Sequence, residues 1–195
     1  TFKEIGVVGT VAAGNKTGVG ASNRVDAVVN NINSYIKNST VKATKSVNLT
    51  NADSISQISV AVAGAGSSDS NAGAGVLNVL ADVVEQNNYI ENSALTVGDL
   101  KLDTDKTMDT ITVTGAIAAA PSGKSVGLSG YAVGASHDIN TYIKNSDVIS
   151  AKDITLTSDF VQDSMNIIFG GAGGKGFTGS GAISVVVNNS NVNTY

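Results

Sequence analysis

The 195-residue sequence predicts an all-β fold, a right-handed parallel β-helix (a solenoid) whose repeat of about 53 residues makes two coils. Three observations predict it. Tyr recurs at Tyr35, Tyr89, Tyr142 and Tyr195, at spacings of 54, 53 and 53 residues. Three of these Tyr open a near-identical pentad: Tyr35-Ile36-Lys37-Asn38-Ser39, Tyr89-Ile90-Glu91-Asn92-Ser93 and Tyr142-Ile143-Lys144-Asn145-Ser146. Between pentads, apolar and polar residues alternate with the period of a strand. The chain is then one solenoid unit over residues 1–195, with a partial repeat at 1–34 and whole repeats near 35–88, 89–141 and 142–194. Tyr195 stands where a fourth pentad should begin, so the expectation is a segment of a longer array.

The first half of each repeat follows the pentad. Its apolar positions are Val41, Ala43, Val47 and Leu49, then Leu95, Val97, Leu100 and Leu102, then Val148, Ile154 and Leu156. Asn51-Ala52-Asp53 and Asp103-Thr104-Asp105 read as turns separating short strands. The Asn of each pentad (Asn38, Asn92, Asn145) fits a corner, because Asn tolerates the left-handed region and can bond its own backbone. The Tyr column fits either a stack inside the core or a row along one outer edge. Asn recurs just before it too, in Asn33-Ser34, Asn87-Asn88, Asn140-Thr141 and Asn193-Thr194.

The second half is rich in Gly and Ala. Val76 to Val84 looks helical in isolation, but its equivalents argue otherwise. One contains Gly130 and Gly134 and another contains Val185-Val186-Val187. Gly costs a helix about 1 kcal/mol, and β-branched side chains lose χ1 freedom there. Val25, Val79, Ala132 and Val185 lie ten residues before successive Tyr, and Ala27, Ala81, Gly134 and Val187 lie eight before. Two columns two residues apart share one face of a strand. A single coil of 53 residues looks too long, so each repeat is expected to make two coils of about 25 to 28 residues. Seven such coils would form a rod of about 35 Å. An Asn ladder up the pentads then lacks a partner in the intervening coil.

Composition narrows the function classes. Charged residues are 14% of the chain, net charge is −4 and pI is near 4.8. That balance argues against a phosphate-binding footprint, so no nucleic-acid partner is expected. No apolar run approaches the roughly 20 residues that span a bilayer as a helix. Cys is absent, which excludes a disulfide-stapled domain. That absence fits a reducing compartment, and equally a surface protein kept unfolded for export.

Chemistry-bearing motifs are few. Ala118 to Ser125 fits a loose phosphate-loop pattern and Gly171 to Gly176 fits GxGxxG, but β-branched or Gly-rich residues follow each where a helix is required. The equivalent turns are Asn15-Lys16-Thr17 and Gly174-Lys175-Gly176, so both read as variable solenoid turns. His137 is the only histidine, which makes a zinc site improbable. Ser129 misses the nucleophile-elbow spacing by one residue. Asp99, Asp103, Asp105 and Asp109, with Lys101 and Lys106 beside them, form an unrepeated acidic cluster that reads as a solvated turn. A polysaccharide-cleaving β-helix would use such carboxylates. Sequons at Asn15, Asn38, Asn48 and Asn188 are expected by chance in this composition. No catalytic, cofactor or metal residue is assigned.

The pentad word, and a Gly/Ala-rich half ending in Ile183-Ser184-Val185-Val186-Val187-Asn188, resemble the passenger repeats of very large type V secreted bacterial proteins. These include autotransporter adhesins and filamentous-haemagglutinin-like exoproteins, with fusobacterial leukotoxin and adhesin repeats the nearest in character. The resemblance covers the whole chain and carries no residue-level functional motif. It implies a stalk or adhesive segment displayed at the bacterial cell surface, anchored at the outer membrane or secreted. Its partners would be a host-cell or bacterial surface receptor and the continuation of its own solenoid. The alternatives are a leukotoxin-like cytotoxin repeat and a polysaccharide-acting enzyme.

Overall fold

A computed structural model describes residues 1–195 as eleven strands and no helix. The strands are β1 (Phe2–Gly14), β2 (Thr17–Lys37), β3 (Thr40–Lys42), β4 (Ser46–Ser67), β5 (Asn71–Glu91), β6 (Ala94–Val97), β7 (Asp99–Ala120), β8 (Ser125–Lys144), β9 (Asp147–Ser150), β10 (Ile154–Gly174) and β11 (Thr178–Thr194). They form three parallel stacks: a four-stranded sheet β1-β4-β7-β10, a four-stranded sheet β11-β8-β5-β2, and a three-stranded sheet β3-β6-β9. The segment Val76 to Val84, ambiguous between helix and strand, lies inside β5.

Register overturns the two-coil expectation. Tyr35 pairs with Tyr89 and Tyr89 with Tyr142, so hydrogen-bonded neighbours are one whole repeat apart. Each repeat therefore contributes one strand to each sheet. A strand of 22 residues such as β4 extends about 70 Å at about 3.3 Å per residue. Four strands stacked about 4.8 Å apart rise only about 14 Å. The 35 Å rod of seven coils is thus replaced by a broad, shallow stack. The parallel ladder here sustains strands far longer than the usual 5 to 6 residues, so one repeat fits one coil.

Differences in repeat length are confined to turns. Lys42 and Ser46 are separated by Ala43-Thr44-Lys45, while their partners Thr96 and Asp99 are separated by Val97-Gly98. The extra residue leaves strand register intact on both sides. Asn38, Asn92 and Asn145 have φ of 51°, 50° and 49°, the left-handed corner expected of them.

The two long sheets face each other and enclose three zones. At one end lie Ala61, Ala63, Ala65, Ala72, Ala74, Ala116, Ala118 and Ala120. Here the backbones approach so closely that a methyl at Gly20 would sit 2.3 Å from the Gly64 carbonyl oxygen, and one at Gly18 would sit 2.1 Å from that of Gly66. At the other end the short sheet closes over Ile90, Leu95, Val97, Leu100 and Leu102. Between these ends the interior is largely polar, with Asn51, Asp53, Gln57, Asn78, Asp82, Gln86, Lys106 and His137 all buried.

That middle zone corrects the expected turns. Asn51-Ala52-Asp53 lies within β4, and Asp103-Thr104-Asp105 within β7. Asn51, Asp53 and Thr104 are buried strand residues whose side chains find partners inside, while Asp103 and Asp105 lie on the outer face. Asn51 Nδ2 donates to the carbonyls of Ile32 and Asn87, and the Thr104 and Thr141 hydroxyls meet at 2.7 Å. Interior hydrogen bonding replaces water, which is the condition for burying such groups.

Candidate functional site

Alternation sorts each candidate residue to one face. Ser129 points inward from β8, and its hydroxyl donates to the Phe169 carbonyl at 2.8 Å. His137 is also buried on β8. Its Nε2 lies 2.8 Å from Asp82 Oδ2 and its Nδ1 lies 3.2 Å from Ser190 Oγ. Asp82, His137 and Ser190 thus have the membership of a nucleophilic triad. However, Ser190 Oγ donates to Asn188 Oδ1 at 3.0 Å, so its proton points away from the ring. A general base must accept that proton, so the arrangement is not poised for nucleophilic attack.

The acidic cluster divides between faces. Asp103, Asp105 and Asp109 point outward from β7, while Lys106, one residue from Asp105, is buried. Across the ladder, Asp105 pairs with Asp159 and Asp109 with Asp163. Like charges directly opposite destabilise a sheet, so these pairs are a cost that solvent must screen. A hydrogen bond from Lys101, then one from Thr157, hold the Asp103 carboxyl below its usual range against the opposing effect of burial. The general acid of a glycosidase needs the reverse shift. Ala118 to Ser125 runs from β7 through a turn into β8, and Gly171 to Gly176 from β10 into the turn before β11. Neither opens a helix, so neither presents the amide cradle that phosphate requires.

The recurring residues assemble on the exterior. The four Tyr rings stack with centroids 5.3, 5.1 and 5.2 Å apart along the outer face of the β2-β5-β8-β11 sheet. This decides between the two placements expected for the column. Beside it an Asn ladder does form, on the residues preceding Tyr rather than on the pentad Asn. Asn87 Nδ2 donates to Asn33, Asn140 to Asn87 and Asn193 to Asn140, at 3.0, 3.0 and 2.9 Å. The pentad supplies a second ladder through Ser: the Ser39 amide donates to Ser93 Oγ, and the Ser93 amide to Ser146 Oγ.

The outer faces also carry apolar columns. On one sheet Ile5, Ile58, Ile111 and Met165 align, next to Val7, Val60, Val113 and Ile167. On the other Val25, Val79, Ala132 and Val185 align. Within these columns Ile5, Val7 and Val25 are each more than half exposed. These columns lie over the polar middle zone, beside the inward Gln57 and Asn78, and the Tyr and Asn ladders toward the end closed by the short sheet.

Sequence reasoning missed the interior ion pairs. Lys106 Nζ lies 2.6 Å from Asp53 Oδ2, with both side chains buried. Arg24 contacts Glu4 at 2.7 Å and Asp26 at 2.6 Å. The signal available was the wrong-parity charge, since Lys106 and Asp53 occupy the same alternate positions as Leu102 and Ile55. The structure contains no helix long and apolar enough to cross a membrane. No protein-family model, no curated protein and no solved structure matches this chain.

Proposed function

We propose that this chain is a non-catalytic adhesive segment of a large secreted or surface-displayed bacterial adhesin, wound as a right-handed parallel β-helix. Handedness follows from the strong preference of parallel crossovers for the right-handed path. The observation that carries the reading is the set of exposed, in-register apolar columns on both broad faces. Contiguous exposed apolar surface marks interaction sites. A repeat of about 53 residues adds only about 4.8 Å of height, whereas a helix gains about 1.5 Å per residue. Such a repeat is a poor spacer and a generous supplier of face, which favours adhesion over mere reach within the stalk-or-adhesive reading. Cell-surface display or release follows from the type V resemblance.

Binding of the purified chain to host cells and to bacterial cells tests this. The double variant Ile5→Lys, Val25→Lys charges one column on each face at exposed positions. We expect at least tenfold weaker binding with an unchanged far-UV spectrum. Undiminished binding by this folded variant would refute the apolar faces as the adhesive surface. Lysis of cells at concentrations that saturate binding would replace the adhesin reading with the cytotoxin one.

A further inference from the structure

We propose that Lys106 and Asp53 are the precursors of an intramolecular isopeptide bond that covalently joins neighbouring repeats. The two residues are direct partners on adjacent strands, Asp53 on β4 and Lys106 on β7. Lys106 Nζ lies 2.6 Å from Asp53 Oδ2, and their side chains are 0% and 4% exposed. An amine held against the carboxyl group whose carbon it would attack, in fixed orientation, is the condition under which proximity lowers a barrier most.

The surroundings favour condensation over a lasting ion pair. The lysine ammonium carries three donors, and the hydrogen bond to Asp53 is the one its Nζ makes. A fully buried ammonium left short of acceptors pays a large desolvation penalty. Ile55 and Met108, the next inward residues beyond Asp53 and Lys106, belong to an apolar cluster with Leu80 and Val84. Asp82 lies between Leu80 and Val84 on β5, fully buried, and its Oδ1 has no hydrogen-bond partner. It is a second buried carboxylate in the interior, with its Oδ2 held by His137 Nε2 at 2.8 Å.

The reaction balances without any co-reactant. The ammonium hands one proton to the carboxylate across their hydrogen bond, leaving a neutral amine and a neutral acid. The amine lone pair attacks Asp53 Cγ and forms the N–C bond. One C–O bond of the carboxyl then breaks, and that oxygen leaves as water with the two protons the nitrogen gives up. The product is a neutral secondary amide, which removes both buried charges. No oxidation state changes.

Mass spectrometry of the folded, then denatured, full chain decides the matter. The expected intact mass is lower than the sequence mass by one water. Protease digestion should yield a branched peptide joining the segment containing Asp53 to that containing Lys106. Lys106→Arg should restore the full mass. Dehydration of Asp53-Ser54 to a succinimide also removes one water, so the branched peptide is the deciding product. A full-mass wild-type chain after prolonged incubation in the folded state would overturn the proposal, leaving a buried ion pair only. Loss of water without the branched peptide would overturn it too. Both readings come from the wild-type chain, so they stand even where a variant fails to fold.

Discussion

In each pentad, Tyr points outward and the following Ile points inward. Ile36, Ile90 and Ile143 join the core beneath the short sheet, while Tyr35, Tyr89 and Tyr142 stack outside. Position three alternates in charge as Lys37, Glu91 and Lys144, partners across the ladder. Lys37 Nζ sits 2.7 Å from Glu91, and this hydrogen bond, ahead of the charge attraction, raises the lysine and lowers the glutamate from their ordinary values. The lowered Glu91 stabilises the fold above its unfolded value of about 4.3, and that contribution is lost as pH falls through the folded value. The raised Lys37 stabilises below about 10.4 and is lost as pH rises through its folded value. Glu91→Gln should therefore lower the melting temperature near neutral pH and match wild type in strong acid; thermal melts across pH check this. The pentad and its Asn corner were legible because they recur. The Asn ladder was half legible: Asn33, Asn87, Asn140 and Asn193 were visible as a column, but a two-coil repeat put an unrelated strand between them.

At the scale of the strand, parity carries more information than the turn signals did. Asn51, Asp53, Asp103 and Asp105 look like turn formers because such side chains compete with backbone pairing in water. Inside a continuous ladder the backbone is already paired, so Asn51 bonds across to the facing sheet and Asp53 to Lys106 on the next strand, while Asp103 and Asp105 face outward. Which polar residues meet there is a property of facing strands far apart in sequence, so no local pattern announces it. The Gly and Ala columns show the same dependence. Their period of two makes them strand, and their small size serves the close approach of the two long sheets. Gly20→Val would place side-chain atoms against the Gly64 carbonyl. We expect a loss of about 1–3 kcal/mol, the usual penalty of overpacking, or more where the backbones cannot separate. Urea titration of the variant measures it through the midpoint.

For the molecule as a whole, burial falls off outward from the middle of the stack. Buried residues concentrate in β4, β5, β7 and β8, while β10 and β11 contain none. In a stacked array each repeat is held only by its neighbours, so stability is a sum of repeat and interface terms. Hydrogen exchange followed by mass spectrometry should find the slowest amides in β4, β5, β7 and β8 and the fastest in β1, β2, β10 and β11. Uniform protection across all four layers would contradict this gradient. Parallel stacking was foreseeable from repetition alone. The number of layers was not, because periodicity counts residues per repeat and says nothing about how many turns the chain takes within one.

The ladders and the buried pairs hold two different kinds of inheritance. Tyr meets Tyr and Asn meets Asn at every interface, so in these columns any repeat is an acceptable neighbour for any other. Unequal crossing-over between pentad-coding stretches would therefore lengthen or shorten the array without breaking these columns. Asp53 with Lys106, and Asp82 with His137, occur once each and tie particular repeats together. A recombinant that separated them would bury an unmatched charge. The common columns leave the gene free to change its copy number, and the singular pairs restrict where the break can fall.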